Sequence, residues 1–327
     1  MTTPPVQLIF GGASFGGMEA DFVSLADTQD ALKLLQDGGI KVIDTARTYT
    51  NSEKWLGQVG APTRFVVDTK YPGGLSPHPS SKEHVIATLD ESLRLLKTDQ
   101  VNVYCVHVPD RRVPLEDLLD GLNAAFIAGK FKRLGLSNFL PEEVEEVVRI
   151  AEEKNYVLPS VYQGNYNPVA RHSETTLLPI LRKYNISYYA YSPIAGGFLT
   201  KDVDLLISGA EEGRWNPNTY IGGMYNALYN KPRMLEGLRL WGKISAESGI
   251  PKAELAYRWV AYHSACDEAH GDSLIFGSRN GKQLQTTLAG LRNGPLSREI
   301  VEQIDLVWNT VKADAPIDNF NDTVGAK

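Results

Sequence analysis

The sequence predicts an α/β fold, a (β/α)8 TIM barrel, and three observations carry that expectation. Short apolar runs rich in β-branched and aromatic residues alternate with stretches of helical spacing, seven times before residue 195 and once more at 273–291. Such alternation implies parallel strands joined by crossover helices, and eight repeats suit a closed barrel better than a doubly wound open sheet. Reactive side chains also stand at the ends of successive runs: Asp44 with Tyr49 just after it, then Lys70, then His107. In such a barrel the carboxyl ends of the strands build the active site.

Taken in order, residues 6–10 form a first strand, followed by the glycine cluster of residues 11–17. Its spacing is not Gly-x-Gly-x-x-Gly and no Lys-Ser/Thr follows, so it reads as a tight loop that lets backbone approach a ligand. A helix over 27–37 ends at Gly38-Gly39. Strand 41–44, helix 52–58 and strand 65–69 follow, and then a Pro/Gly/Ser-rich loop leads into a helix over 80–97. Its N-cap is either Ser81 with His84 or Ser80 with Glu83, the second pair having capping-box spacing. Strand 101–106, helix 114–128, strand 133–136, helix 141–154, strand 160–163, helix 174–184 and strand 186–190 continue the alternation. Residues 194–232, rich in Gly, Asn and Pro, interrupt it as a long functional loop with room for short helices. Extra helices over 232–248 and 251–263 precede the eighth strand, 273–276, and the eighth helix, 281–291.

With 327 residues, 43% of them hydrophobic, the chain can bury one large core, and we expect a single barrel domain over residues 1–327. A formal net charge of −6 argues against a nucleic-acid footprint. Two cysteines, Cys105 and Cys266, fit a reducing compartment without a disulfide. The N-terminus has neither a basic leader nor an apolar core, and no run approaches the roughly 18 apolar residues of a membrane span. A cytoplasmic location with no membrane or nucleic-acid partner is the expectation.

An acid, a phenol, an ammonium and an imidazole at one rim suggest proton transfer to an oxygen. A phenol has a reference pKa near 10, and a neighbouring ammonium lowers it. A carboxylate can hold that ammonium in place, which makes the phenol a workable general acid. The imidazole can orient a carbonyl oxygen. No serine or cysteine stands beside an evident base, and no carboxylate pair has glycosidase roles. His263, Cys266, Asp267, Glu268 and His270 cluster in sequence, but their spacing fits no standard zinc site and no metal is expected.

At this point the residues carry a resemblance. Ile43-Asp44-Thr45-Ala46 with Tyr49, Asp68-Thr69-Lys70 and His107-Val-Pro-Asp110 resemble the catalytic segments of the aldo-keto reductases. Gly135-Leu-Ser-Asn-Phe139, Val161-Tyr-Gln-Gly-Asn-Tyr166 and Ala190-Tyr-Ser-Pro-Ile-Ala-Gly-Gly197 resemble that superfamily's cofactor segments. Arg258-Trp-x-x-Tyr-His-Ser264, His270-Gly-Asp272 and Gly294-Pro-Leu296 are similar to the aflatoxin-aldehyde reductase branch. The resemblance runs over nearly the whole chain. It implies NADPH/NADP+ as cofactor and a small-molecule carbonyl as substrate, with Tyr49 as proton donor, Lys70 lowering its pKa, Asp44 fixing Lys70 and His107 orienting the carbonyl. It further implies that Ser137, Asn138 and Gln163 bond the carboxamide, that Tyr191 stacks on the nicotinamide, and that Ser192, Pro193, Ile194, Gly196 and on to Lys201 wrap the pyrophosphate. Gly277, Ser278, Arg279 and Gln283 would hold the adenosine end, with Arg279 and Lys282 adding charge against a 2′-phosphate. Arg214 is a further candidate on the cofactor side. The family also makes a homodimer an expectation.

Four departures bear on what transfers. Gly12-Ala13 stands where the family usually has Thr-Met, and Thr287 where an asparagine commonly helps bind adenine. Leu228, in the Tyr225 segment, takes the place of an arginine for acidic substrates, and residues 318–321 lack the arginine that sometimes closes the site. Without those guanidiniums a substrate carboxylate loses its charge-assisted partners, so a neutral aldehyde or ketone is expected. The competing reading is a cofactor-binding regulatory subunit of the same fold, like the potassium-channel β subunits. A third, a barrel enzyme of unrelated chemistry, has little support once these motifs are counted.

Overall fold

Eight apolar runs become eight parallel strands that close in chain order into a barrel. They are β1 (Gln7–Gly11), β2 (Val42–Asp44), β3 (Val66–Tyr71), β4 (Val101–Val106), β5 (Phe131–Ser137), β6 (Pro159–Asn165), β7 (Ser187–Tyr191) and β8 (Ser273–Phe276). The computed structural model describes residues 3–17, 22–209 and 213–323. Ile9, Val42, Val103, Cys105, Val161, Tyr189 and Ile275 fill the barrel interior, and a larger apolar shell packs between strands and helices.

Helices α1 (Leu25–Asp37), α2 (Ser52–Gln58), α3 (Lys82–Leu96), α4 (Leu115–Ile127) and α5 (Pro141–Lys154) cross over between the first six strands. The α1 N-terminus lies two residues before the predicted one because Ser24 is its cap, accepting from the Asp27 amide at 3.1 Å. On α3 the cap is Ser81, which accepts from the His84 amide at 3.2 Å. The capping-box spacing of Ser80 and Glu83 goes unused: the Ser80 hydroxyl and amide both donate to Asp110, at 2.8 and 2.9 Å.

The single helix expected over 174–184 is instead two pieces, α6 (Ser173–Thr176) and α7 (Leu178–Lys183), with Leu177 at φ −110° between them. Pro179 stands in the first turn of α7, where its missing amide is harmless, but its ring would clash with a continuous preceding turn.

Between β7 and β8 the chain forms α8 (Val203–Ser208), α9 (Tyr220–Tyr229), α10 (Pro232–Ser248) and α11 (Lys252–Tyr262). The long segment after β7 is therefore partly helical, and the expected pair of extra helices is present. Past β8 come α12 (Gly281–Leu291) and α13 (Arg298–Val311). The sequence reading did not assign α13. Its Ile304, Val307 and Val311 are buried, and it packs on α10, where any Cβ at Gly237 would strike Val311. Among the described residues no helix is long and apolar enough to cross a membrane. Both cysteines are free thiols.

Candidate active site

The strand ends bring the four reactive residues together. Asp44 closes β2 and Lys70 is the penultimate residue of β3, while His107 follows β4 with its amide donating to the Tyr71 carbonyl at 2.8 Å. Lys70 and Asp44 are both almost fully buried. The Lys70 ammonium donates to Asp44 Oδ2 and, at 2.8 Å, to the Thr45 carbonyl. Gln163 Nε2 donates to the other Asp44 oxygen at 2.7 Å. A buried ion pair survives only with its remaining lone pairs and protons satisfied, and here both carboxylate oxygens are occupied.

Tyr49 lies on the loop between β2 and α2, and its ring is the lid of this pair. Lys70 Nζ is 5.1 Å from the ring centroid. The His107 ring stands edge-on to Tyr49, with centroids 5.7 Å apart and planes at 83°. His107 Nδ1 is 3.1 Å from the Thr48 hydroxyl.

Burial pushes the Tyr49 phenol up from its ordinary value, Lys70 pulls it down, Asp44 and Tyr225 push it up again, and the charge of Arg214 draws it down. The net direction is upward. Lys70 thus acts in the direction expected of it, but burial outweighs it. Burial pushes the Lys70 ammonium down, and Asp44 and Tyr49 more than offset this, leaving it raised. Burial, then Lys70, lowers His107 to about 3, so the imidazole is neutral at any ordinary pH.

The expected cofactor residues form a second group along the rim. Ser137 and Gln163 are register partners on β5 and β6. Asn138, at φ +60°, donates from Nδ2 to Ser137 Oγ at 3.0 Å and to the His107 carbonyl at 2.9 Å, and its Oδ1 accepts from the Tyr191 hydroxyl at 2.8 Å. Tyr191 is half-buried at the end of β7. Beyond it Ser192, Pro193 and Ile194 turn sharply, Ser192 at φ +55° with its carbonyl accepting from Asn167. Gly196, at φ +64°, faces the Tyr225 ring so closely that no Cβ would fit.

Lys201 lies 5.9 Å from the Trp215 ring, beside the exposed Arg214. At the far end Gly277, Ser278 and Arg279 lead into α12, with the Arg279 amide donating to Gln283 at 2.6 Å. Ser278 Oγ is buried and has no partner. An orphan hydroxyl before a helix N-terminus, flanked by an arginine, fits a phosphate. The residues present therefore fit a dinucleotide phosphate of the NADPH kind. Thr287 is buried on α12.

Leu228 does not line an opening. It is 1% exposed, inside the apolar core. The same α9 turn places Tyr225 in a stack with Trp215 (5.4 Å, 19°), and Phe198 stacks on Trp215 and Tyr229. This buried aromatic stack was not foreseen. Tyr225 and Trp215 were visible in the sequence, but their stacking joins two segments separated by a turn.

Two other features escaped the sequence reading. Thr48 was passed over although it immediately precedes Tyr49. The C-terminal Asn321 donates to the Asn138 carbonyl at 3.0 Å and accepts from Arg111 at 2.7 Å, tying the last described turn to the site. Among the described residues no group of three His, Cys, Asp or Glu side chains is placed to hold a metal ion. In the cluster at 263–270, His263 Nε2 is already taken by the Leu296 amide at 2.8 Å and Asp267 caps a short turn.

Comparison with known proteins places the chain in a family. The model of the aldo/keto reductase family matches residues 7–309. The chain is 37% identical to Oxidoreductase sirO of Leptosphaeria maculans, over 94% of this chain and 95% of that protein. It is 32% identical to human Aldo-keto reductase family 7 member A3, over 92% and 95% of the two chains, and 32% identical to human Aflatoxin B1 aldehyde reductase member 2, over 88% and 83%. The similarity spreads over several kinds of reductase and does not single out the aflatoxin-aldehyde branch. The chain belongs to the aldo/keto reductase family and is an NADPH-dependent oxidoreductase of that family.

Proposed function

We propose that this protein reduces a neutral aldehyde or ketone to an alcohol, with Tyr49 giving the proton to the carbonyl oxygen and His107 holding that oxygen. The observation that carries the reading is the buried Lys70–Asp44 pair set against the Tyr49 ring, with a neutral imidazole on its edge. When bound, NADPH supplies the hydride. Ser137, Asn138 and Gln163 would hold its carboxamide, Tyr191 its ring, the turn from Ser192 to Lys201 with Arg214 its pyrophosphate, and Ser278, Arg279 and Gln283 its adenosine phosphate.

Within this reading Lys70 keeps positive charge beside the phenol and so favours the phenolate left once the proton has gone. Asp44 and the Thr45 carbonyl keep the ammonium from swinging away. A neutral His107 can donate one N–H to the substrate oxygen without repelling Lys70.

The neutral substrate class is read from the residue at position 228. Residue 228 is an apolar core residue that offers no charge to a substrate carboxylate, and the Phe198, Trp215, Tyr225 and Tyr229 stack is buried in the same core. Placement near the aflatoxin B1 aldehyde reductases, relatives named for an aldehyde, is part of the same proposal. The test is NADPH oxidation with a neutral aromatic aldehyde against succinic semialdehyde, and Tyr49→Phe as control. The neutral aldehyde is expected to have the higher kcat/KM. Tyr49→Phe is expected to lose roughly 10²- to 10⁴-fold in kcat while cofactor still quenches protein fluorescence. A marked preference for the acid would remove the neutral-substrate assignment, and a fully active Tyr49→Phe would remove the mechanism.

A further inference from the structure

A neutral imidazole carries a single proton, and an imidazole that holds a carbonyl oxygen must present that proton on the nitrogen facing it. Burial and Lys70 keep His107 neutral. Which nitrogen bears the hydrogen is then decided by the partner of the other one. The only side-chain hydrogen bond to the His107 ring among the described residues is the one between Nδ1 and the Thr48 hydroxyl, 3.1 Å long. Nε2 has none.

Among the described residues the Thr48 hydroxyl likewise has no second hydrogen-bonding partner. A hydroxyl can donate and accept, but a donated O–H directed at Nδ1 satisfies both groups with one bond, whereas the reverse leaves the hydroxyl proton without a protein acceptor. The backbone on both sides is held. Arg47 N donates to the Lys70 carbonyl at 3.2 Å, Tyr49 N to the Ala46 carbonyl at 3.0 Å, and Ser52 N to the Tyr49 carbonyl at 2.7 Å. Across the gap, the His107 amide bonds the Tyr71 carbonyl and its carbonyl accepts from Asn138. With both main chains clamped, the ring orientation and the proton position remain to be set by Thr48.

We propose that Thr48 is a positioning residue that sets the His107 tautomer, donating its hydroxyl proton to Nδ1 so that Nε2 carries the N–H offered to the substrate oxygen. Because Thr48 and Tyr49 are adjacent on one loop, the proton donor and the group that orients the acceptor are then aligned by one short piece of chain. This inference rests on the reductase reading above, and its test has a readout that needs neither turnover nor cofactor.

The protein is labelled with ¹⁵N-histidine, and long-range ¹H–¹⁵N correlations of His107, assigned with His107→Gln, are recorded for wild type, Thr48→Val and Thr48→Ser. Wild type and Thr48→Ser are expected to show the Nε2–H pattern, and Thr48→Val a shift toward Nδ1–H. In steady-state assays Thr48→Val is expected to lose about tenfold in kcat, the worth of one net hydrogen bond, with KM for NADPH unchanged. Thr48→Ser should stay within about twofold of wild type. An Nδ1–H pattern in wild type overturns the proposal. So does a Thr48→Val protein that keeps the Nε2–H pattern, or a Thr48→Ser protein as impaired as Thr48→Val, because the retained hydroxyl would then not be what sustains the rate. If the reductase reading itself fails, wild type shows no NADPH oxidation while the spectra still report the tautomer.

Discussion

Tyr49 faces opposing demands: a proton donor needs a hydroxyl that is not too weakly acidic, yet its surroundings disfavour the phenolate. Burial pushes the phenol up and Lys70 pulls it down. Removing that pull is informative. Lys70→Met is expected to lower kcat by roughly 10²-fold or more and to move the alkaline limb of the pH–rate profile upward, since the cation opposing burial is gone. The sign follows from the role: reduction needs protonated Tyr49, so the rate falls as pH rises through its pKa, and a higher pKa delays the fall. A pH–rate series on both proteins measures this, and a limb displaced downward would refute the electrostatic account. His107, lowered to about 3, is expected to contribute no limb between pH 5 and 8.

At the scale of elements, the loops after β3 and β4 are joined by a close approach that glycine permits. Gly73 has φ +60°, and a Cβ there would land on the Val108 carbonyl oxygen, one residue from His107. Gly129, after α4, has φ +73° but nothing within 4 Å of the same atom. Both substitutions to alanine carry the cost of a left-handed backbone, about 1–2 kcal/mol. Only Gly73→Ala must also displace the chain beside His107. Denaturant unfolding is expected to show Gly73→Ala destabilised well beyond Gly129→Ala, with a loss of kcat that Gly129→Ala does not share. Equal effects would mean that the contact is not tight. The aromatic stack belongs to this scale too: neither α9 nor the turn at Trp215 makes it alone, and packing joins them into one buried cluster.

At the scale of the whole molecule, the barrel interior holds more carboxylate than the buried Lys70 ammonium can pair. Asp68 is the register neighbour of Asp44, and its Oδ1 accepts from Asn102 at 2.7 Å and the Val103 amide at 3.0 Å. Its Oδ2 is buried without a partner. Burial pushes this carboxyl up to about 7, with Asp44 adding to the rise and the Asn102 and Val103 bonds and Lys70 opposing it. Because the folded pKa exceeds the unfolded one, the folded state holds the extra proton between them, and stability declines as pH rises from about 4 to about 7. The full span is on the order of 4 kcal/mol. Asp68→Asn is expected to match wild type near pH 4 and to be the more stable protein at pH 8. Urea melts at both values check this, and a pH-independent difference would show that Asp68 does not titrate in the window.

The alternation of apolar runs was sufficient to foretell eight strands, because period and run length are local properties and parallel crossovers follow from them. It also placed Asp44, Lys70 and His107 at one end, since all strands of such a barrel point the same way. Helix α13 was equally legible in the spacing of Ile300, Ile304, Val307 and Val311 but went unassigned. Other outcomes lay beyond any local rule. Ser81 caps α3 because Asp110, 30 residues away from Ser80, claims the competing hydroxyl. Gln163 reaches Asp44 across 119 residues, and Thr48 reaches His107 across 59. The balance at Tyr49 depends on how deeply other segments bury it. Residue types and their order determined the fold and the candidate chemistry; which hydrogen bonds form and how far each charge is desolvated were decided only when distant segments met.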